Sequence, residues 1–198
     1  MSAAPRLPVE LLRDVFELAL PPECITDPCW NVAPASSWST ASRDKQSFVL
    51  VCKNWMGVGT EILYEHVAIR RPTQLPLFVC TLESSASDLG CLIKTFTLCC
   101  FISHRWKTVF FDNLVTLSSR CLRVKRFILS PHWDPPNPNA VVDSLFSGIS
   151  LALITHLEIN TDMLPYTVEN ILDHCSRLQS LSLAIPTEAI SPKSIRLP

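Results

Sequence analysis

One pattern of apolar residues recurs five times along this chain and limits the folds that the chain can adopt. Each copy has apolar side chains at its first, fourth and sixth positions, as in Val124-x-x-Phe127-x-Leu129. The copies begin at Tyr64, Ile93, Val124, Ile154 and Leu178. The last two apolar positions are two residues apart, so in a strand both side chains point to the same face of a sheet. The pattern therefore predicts five short strands whose starts lie 24 to 31 residues apart.

The segments between these strands have the apolar spacing of helices. Four helix faces are formed by Leu75, Phe78, Val79 and Leu82, by Phe110, Leu114, Leu117 and Cys121, by Val142, Leu145, Phe146 and Ile149, and by Val168, Ile171, Leu172 and Cys175. Thr73, Asn139 and Thr167 precede three of these faces and are suitable N-caps. The sequence therefore predicts that strands and helices alternate.

Alternation with a period near 30 residues is typical of a leucine-rich-repeat solenoid, in which each unit buries its apolar face against its neighbours. The units are degenerate, because none has the full asparagine-bearing consensus and only Asn160 lies near that position. A compact α/β domain with a parallel sheet would show the same alternation. Both alternatives predict an α/β fold with a parallel sheet over residues 66–198. Five units make a short array for a receptor, and further units would enlarge its binding surface.

The N-terminal residues 1–65 have a helical character instead. Apolar side chains in residues 7–19 follow a helical period, and Pro8 suits a first helical turn because its missing N–H would have had no partner there. A second helix is predicted from about Arg43 to Met56. It is expected to break at two glycines and to resume near Glu61.

Two motifs in this region resemble the F-box. Leu7-Pro8-x-Glu10-Leu11-Leu12-x-x-Val15-Phe16 is similar to the LPxELLxxIF opening of that family, and Leu50-Val51-Cys52-Lys53-x-Trp55 is similar to its LVCKxW helix. The segment Leu63-Tyr64-Glu65-His66-Val67 looks like F-box proteins of fungal type. The resemblance covers about 50 residues.

The resemblance implies that the chain binds the Skp-family adaptor of a cullin-based ubiquitin ligase. The residues that match the motifs, and are expected to contact the adaptor, are Leu7, Pro8, Leu11, Leu12, Val15, Phe16, Val51, Cys52 and Trp55. A small helical module has more apolar side chains than it can bury, and a groove on a partner covers the excess.

Residues 21–46 separate the two motifs, whereas most F-boxes have a short connection there. Prolines and a Ser/Thr-rich run over residues 36–42 predict a surface insertion, which is tolerated because loop-closure entropy grows slowly with loop length. Trp30 and Trp38 lie within it. They are predicted either to anchor the loop or to pack against the domain.

A protein target is expected to bind the face of the sheet opposite the apolar side chains, because solenoid curvature makes that face the concave one. The candidate contacts are Arg70, Thr97, Arg126, His156, Glu158 and Asn160. Arg70 and Arg126 suit an acidic or phosphorylated group on the target.

Composition excludes several other functions. The 17 basic and 18 acidic residues give a net charge of -1, so neither nucleic acid nor an anionic membrane is predicted as a partner. No stretch reaches the roughly 20 uninterrupted apolar residues that a membrane span requires. The nine cysteines include no C-x-x-C pair, which favours buried free thiols in a reducing, intracellular location.

The sequence contains no motif of a known catalytic site. G-x-S-x-G, P-loop and H-E-x-x-H patterns are absent, and the four glycines are too few for a typical phosphate-binding loop. We therefore predict no catalytic residue, no metal and no cofactor. Two functions remain: an adaptor of a Skp-cullin-F-box (SCF) ubiquitin ligase, or a repeat scaffold whose N-terminal helices only cap the solenoid. Outward-facing Leu12, Phe16 and Trp55 would favour the adaptor, and packing onto the first repeat would favour the cap.

Overall fold

The structure is a computed structural model that describes residues 7–22, 25–29, 36–130, 132–133, 153–160, 172–173 and 175–183. Its helices are α1 (Val9–Ala19), α2 (Ser37–Val51), α3 (Lys53–Glu65), α4 (Gln74–Ser84) and α5 (Lys107–Arg120). Its strands are β1 (His66–Ile69), β2 (Thr95–Leu98), β3 (Phe101–Ile102), β4 (Arg126–Leu129), β5 (His132–Trp133), β6 (His156–Ile159) and β7 (Ser180–Leu183). The predicted helices after Asn139 and Thr167 lie outside the described residues except at Leu172, Asp173 and Cys175, and Trp30 also lies outside them.

Five of the strands form one parallel sheet, in which β1, β2, β4, β6 and β7 are neighbours in chain order. The predicted α/β class and the five predicted strands are confirmed. The first residues of the five strands pair across the sheet in one row: His66, Thr95, Arg126, His156 and Ser180. β3 and β5 form a separate parallel pair.

Strands β4 and β6 alternate between buried and more exposed residues as the apolar pattern predicts, whereas in β7 even Leu181 is exposed. In β4, Phe127 and Leu129 are buried while Arg126 is exposed. The prediction is inexact at the start of β1, because Tyr64 still belongs to α3 and the strand begins only at His66.

Helices α4 and α5 cover the apolar face of the sheet. The residues that they bury are Leu75, Val79, Leu82, Phe110, Leu114 and Leu117, in agreement with the predicted helix faces. Rings of Phe96 and Phe127 stack in this core with centroids 5.7 Å apart. Thr73 precedes α4 as predicted, but its side chain makes no capping hydrogen bond. Instead, Gln74 Oε1 accepts hydrogen bonds from the backbone N–H groups of Arg70 and Arg71.

The prediction of a surface insertion over residues 21–46 is wrong for its second half, because α2 begins at Ser37. Ser36 caps this helix, since its Oγ accepts a hydrogen bond from the N–H of Ser39 at 3.3 Å. The Ser/Thr-rich run that indicated a loop therefore contains a helix start.

The break between the second and third helices also differs from the prediction. It lies at Cys52, which is extended with φ -163° and ψ 167°, and both predicted breakers, Gly57 and Gly59, lie inside α3. Gly59 is buried where α3 crosses α2: an added Cβ would lie 3.1 Å from the backbone N of Val49 and 3.2 Å from the carbonyl carbon of Phe48. The absence of a side chain at Gly59 therefore allows α2 and α3 to pack closely, and this glycine does not end the helix.

The three N-terminal helices have a core of their own, distinct from the core beneath the sheet. It consists of Leu12, Phe16, Val58 and Ile62, with Leu20, Phe48 and Trp55 packed against it. α3 ends at Glu65 and the chain enters β1 at the next residue, so the helical module is joined directly to the first strand.

Candidate docking surface and target face

Helix α1 carries apolar side chains on two faces. Leu12 and Phe16 are each only 1% exposed, whereas Leu11 is 51% and Leu18 is 86% exposed. Val9 and Val15 of the helix are exposed as well, and so is Leu7 just before it. The helix therefore uses one apolar face to join the module and presents a second apolar face to solvent.

The inner face of α1 is held by aromatic packing. The ring of Phe16 stacks on Phe48 of α2, with centroids 4.3 Å apart and planes at 6°. It also meets the edge of Trp55 of α3 at 4.9 Å and 68°. One phenylalanine thus contacts both other helices, and such pairs stabilise a core by about 0.5–1.5 kcal/mol beyond area burial.

The nine residues predicted to contact an adaptor divide into three groups. Leu7, Pro8, Leu11, Val15, Val51 and Cys52 are exposed. Trp55 is half-buried, and Leu12 and Phe16 are core residues of the helical module. The structure thus corrects the expected placement of Leu12 and Phe16, whose side chains face neither solvent nor the sheet.

Exposed apolar residues of the module that were not among the predicted contacts include Leu18, Leu50 and Met56, although Leu50 stands within the second motif. For Leu18 a signal was present, because Leu11, Val15 and Leu18 follow an i, i+4, i+7 spacing on one helix face. Together with the exposed apolar residues of the prediction, they define what we call the docking surface: Leu7, Leu11, Val15, Leu18, Leu50, Val51 and Met56.

The open face of the sheet, here called the target face, carries His66, Ala68, Thr95, Thr97, Arg126, Ile128, His156, Glu158, Ser180 and Ser182. Four of the predicted contacts gather on or next to β4 and β6. Arg126 Nη2 lies 3.5 Å from Glu158 Oε2, and Asn160 Nδ2 donates a hydrogen bond to Glu158 Oε1 at 2.8 Å. His156 Nδ1 is 2.8 Å from Thr155 Oγ1.

Arg70 and Thr97 do not belong to that exposed group. Arg70 follows the end of β1, and its Nη1 contacts Ser39 Oγ at 3.1 Å while its guanidinium lies 4.9 Å from the ring centroid of Trp38. Thr97 is 4% exposed. The structure therefore corrects the target-face prediction at these two positions: Arg70 binds α2 to the sheet, and Thr97 is covered.

Part of the target face is covered by the chain itself. A cleft of about 970 Å³ separates the helical module from the sheet. Thr26, Asp27 and Pro28 line it together with Thr97 and Ile128. The cleft runs along the target face from β1 to Glu158 of β6, and none of its lining residues belongs to β7.

Glu65 connects the helical module to the sheet electrostatically. Its carboxylate pairs with Lys94 Nζ at 2.5 Å and with Arg13 Nη1 at 3.4 Å, and Arg13 also pairs with Glu61. Burial by itself raises the pKa of Glu65, but the hydrogen bond and charge of Lys94, together with His66 and Arg13, outweigh it and lower the pKa below its ordinary value. Sequence reasoning missed this residue, because its partners are distant in the chain.

No protein-family model matches the chain, and no curated protein is significantly similar to it. Within the described residues, none of the helices combines the length and the apolar character needed to cross a lipid bilayer.

Proposed function

We propose that the chain is a substrate-receptor adaptor of an SCF-type ubiquitin ligase. In this proposal the helical module is an F-box that docks onto a Skp-family adaptor, and through it a cullin. The strand-helix units form a short leucine-rich-repeat-like solenoid that holds a protein target. The chain does no chemistry of its own and acts inside the cell by positioning the target for the ligase partners.

The observation that carries the docking half of the proposal is the second apolar face of α1. Leu12 and Phe16 already satisfy the module's own core, so the exposed Leu11, Val15 and Leu18 are not needed to hold the helix in place. Exposed apolar residues at helical spacing fit the groove of a helical partner. This arrangement supports a role for the exposed face in binding a partner, while the buried face of α1 holds the helix in the module.

The uniform geometry of the sheet supports a solenoid over a compact α/β domain. The five strands of the sheet are arranged in their chain order without a reversal, and the residue pairing is not shifted between strands. The backbone contacts repeat as well: the N–H groups of Cys99, Ser130 and Asn160 each donate to the carbonyl of the last residue of the adjacent earlier strand in the sheet. Repetition of one unit is what a quasi-one-dimensional array requires.

The alternative function is a non-catalytic scaffold whose N-terminal helices cap the solenoid. Two contacts favour it: Glu65 pairs with Lys94 beside the second strand, and Arg70 packs on Trp38 of α2. Both hold the module against the first units. A capped scaffold would keep these contacts and would need no docking partner. The two functions therefore differ in whether the outer face of α1 binds another protein.

Co-purification tests the proposal directly. The chain is mixed with a purified Skp-family adaptor and the N-terminal domain of a cullin, and the mixture is resolved by size exclusion. An adaptor function predicts that the three proteins elute together at equal stoichiometry. Elution of a folded chain apart from the other two proteins would support the scaffold instead.

A further inference from the structure

The structure brings together two cysteines that are far apart in sequence. Cys29 belongs to the described segment 25–29, and Cys99 directly follows β2. Cys99 Sγ lies 3.6 Å from the carbonyl oxygen of Pro28. Pro28 directly precedes Cys29 in the chain, so this contact brings Cys29 to Cys99, and both cysteines are half-buried. Neither cysteine has a place in the proposed docking surface or target face.

We propose that Cys29 and Cys99 form a reversible disulfide under peroxide stress, and that this bond fastens residues 25–29 beside the carboxyl end of β2. The chain already lies against Cys99 at Pro28, so the bond requires only a local movement that brings the two sulfur atoms to about 2.05 Å. In a reducing compartment such a bond is transient and serves regulation more often than folding.

The surroundings of the two thiols give them different roles. The hydrogen bond from Cys29 lowers the pKa of Cys99, burial opposes this shift, and the positive charge of Arg70 adds to it. The pKa of Cys29 is raised, first by Cys99 and by burial, and further by Asp27. Cys99 is therefore the thiol more often deprotonated and the one that attacks, because the thiolate is the nucleophile.

The other cysteines in the described residues lack this arrangement. Burial raises the pKa of Cys100 and of Cys121 to about 12, so both react poorly although Cys100 is next to Cys99 in sequence. Cys52 and Cys80 are exposed to solvent. They serve as controls for oxidation that depends only on whether peroxide can reach the thiol.

The chemistry balances with hydrogen peroxide as the oxidant. The Cys99 thiolate attacks one peroxide oxygen, the O–O bond breaks, and the displaced hydroxide takes a proton to leave as water, giving a sulfenic acid at Cys99. The Cys29 thiol then attacks that sulfur and displaces hydroxide, which leaves as a second water with the thiol proton. The two cysteines lose two electrons in total, and peroxide gains them.

The bond would hold Thr26 and Pro28 in the cleft where they lie beside Thr97. Oxidation would thus fix this end of the target face in its covered form. This consequence for target binding rests on the proposed function, whereas the disulfide itself does not. Mapping the bond on the isolated chain therefore tests the inference separately from any partner.

The test treats the full chain with hydrogen peroxide and identifies disulfides by non-reducing peptide mapping. The inference predicts that Cys29–Cys99 is the main intramolecular bond and that dithiothreitol reverses it. A bond that closes a loop of about 70 residues should also raise Tm by about 5–10 °C. The Cys80→Ser control should keep both effects, and Cys99→Ser should lose both. Absence of the Cys29–Cys99 peptide, or a mixture with no preferred pair, would overturn the inference.

A second measurement covers the case in which Cys99→Ser fails to fold. In Cys29→Ser the attacking thiol remains but its resolving partner is gone, so sulfenic acid should accumulate. A dimedone probe should then label Cys99 faster than it labels the exposed Cys52 and Cys80. Labelling of Cys52 and Cys80 with Cys99 unmodified would overturn the assigned roles.

Discussion

Leu11 and Leu12 are consecutive on α1 and face opposite environments: Leu12 is 1% exposed within the core of the helical module, and Leu11 is 51% exposed on its outer side. Because both are leucines in the same helix, substituting either one changes helix propensity by nearly the same amount. The two substitutions therefore differ mainly in the packing that they remove. The pair therefore separates the stability of the module from its ability to bind a partner.

Substitution of these two leucines should affect stability unequally. Leu12→Ala leaves a cavity next to Phe16 and should lower the free energy of unfolding by about 2–4 kcal/mol. Leu11→Ala removes no buried contact and should change it by less than about 0.5 kcal/mol. Urea denaturation followed by circular dichroism measures both. Equal losses would show that α1 is packed differently from this structure.

The two glycines of α3 should respond oppositely to alanine. Gly57 has no atom within 4 Å of an added Cβ, so Gly57→Ala should stabilise the helix by about 0.5–1 kcal/mol. Gly59→Ala would press on the backbone of α2 at Val49 and should lower the free energy of unfolding by about 1–3 kcal/mol. Thermal and urea denaturation distinguish the two. Stabilisation by both variants would contradict the close crossing of α2 and α3.

These cases show which parts of the structure the sequence could predict. The strands follow from apolar alternation, a local pattern, and Phe127 and Leu129 are buried as that pattern requires. The start of α2 has no apolar stripe: it depends on a single cap at Ser36 and on packing against α3, which involves distant residues. For the same reason the sequence could not place Arg70 against Trp38, or Cys29 against Cys99. The motif match on α1 selected residues from both faces of the helix, because the repeat of leucines does not reveal which face is inward.

Arg126 and Glu158 should show a weak, salt-dependent coupling. Their side chains lie 3.5 Å apart on adjacent strands and are partly exposed, so a double-mutant cycle with alanine should give about 0.2–1 kcal/mol. Arg126→Glu should lower the free energy of unfolding by no more than about 1 kcal/mol, and adding Glu158→Arg should restore it. The coupling should decline as salt is raised from 0.05 to about 0.5 M. Unfolding of Arg126→Glu at room temperature would mean that this residue is structural.

Glu65 should make stability depend on pH in the acidic range. Its folded-state pKa is lowered, so near its ordinary value of 4.5 the folded state binds fewer protons than the unfolded state. The stabilisation it contributes is therefore present above about pH 4.5 and is lost as pH falls through the lower folded-state pKa. The difference in unfolding free energy between wild type and Glu65→Gln should be largest near pH 6 and shrink toward pH 3. A difference that is constant across this range would contradict the ion pairs with Lys94 and Arg13.

The central claim is that the outer apolar face of α1 binds a Skp-family adaptor, and titration calorimetry with the purified adaptor tests it most directly. We expect the wild-type chain to bind and Leu11→Asp to lose about 30-fold or more in affinity. The matched control is Leu77→Asp on α4, since Leu77 is 70% exposed and lies outside the module; it should bind within about twofold of wild type. No binding by a folded wild-type chain, or equal affinities for Leu11→Asp and wild type, would contradict adaptor binding by this face of α1.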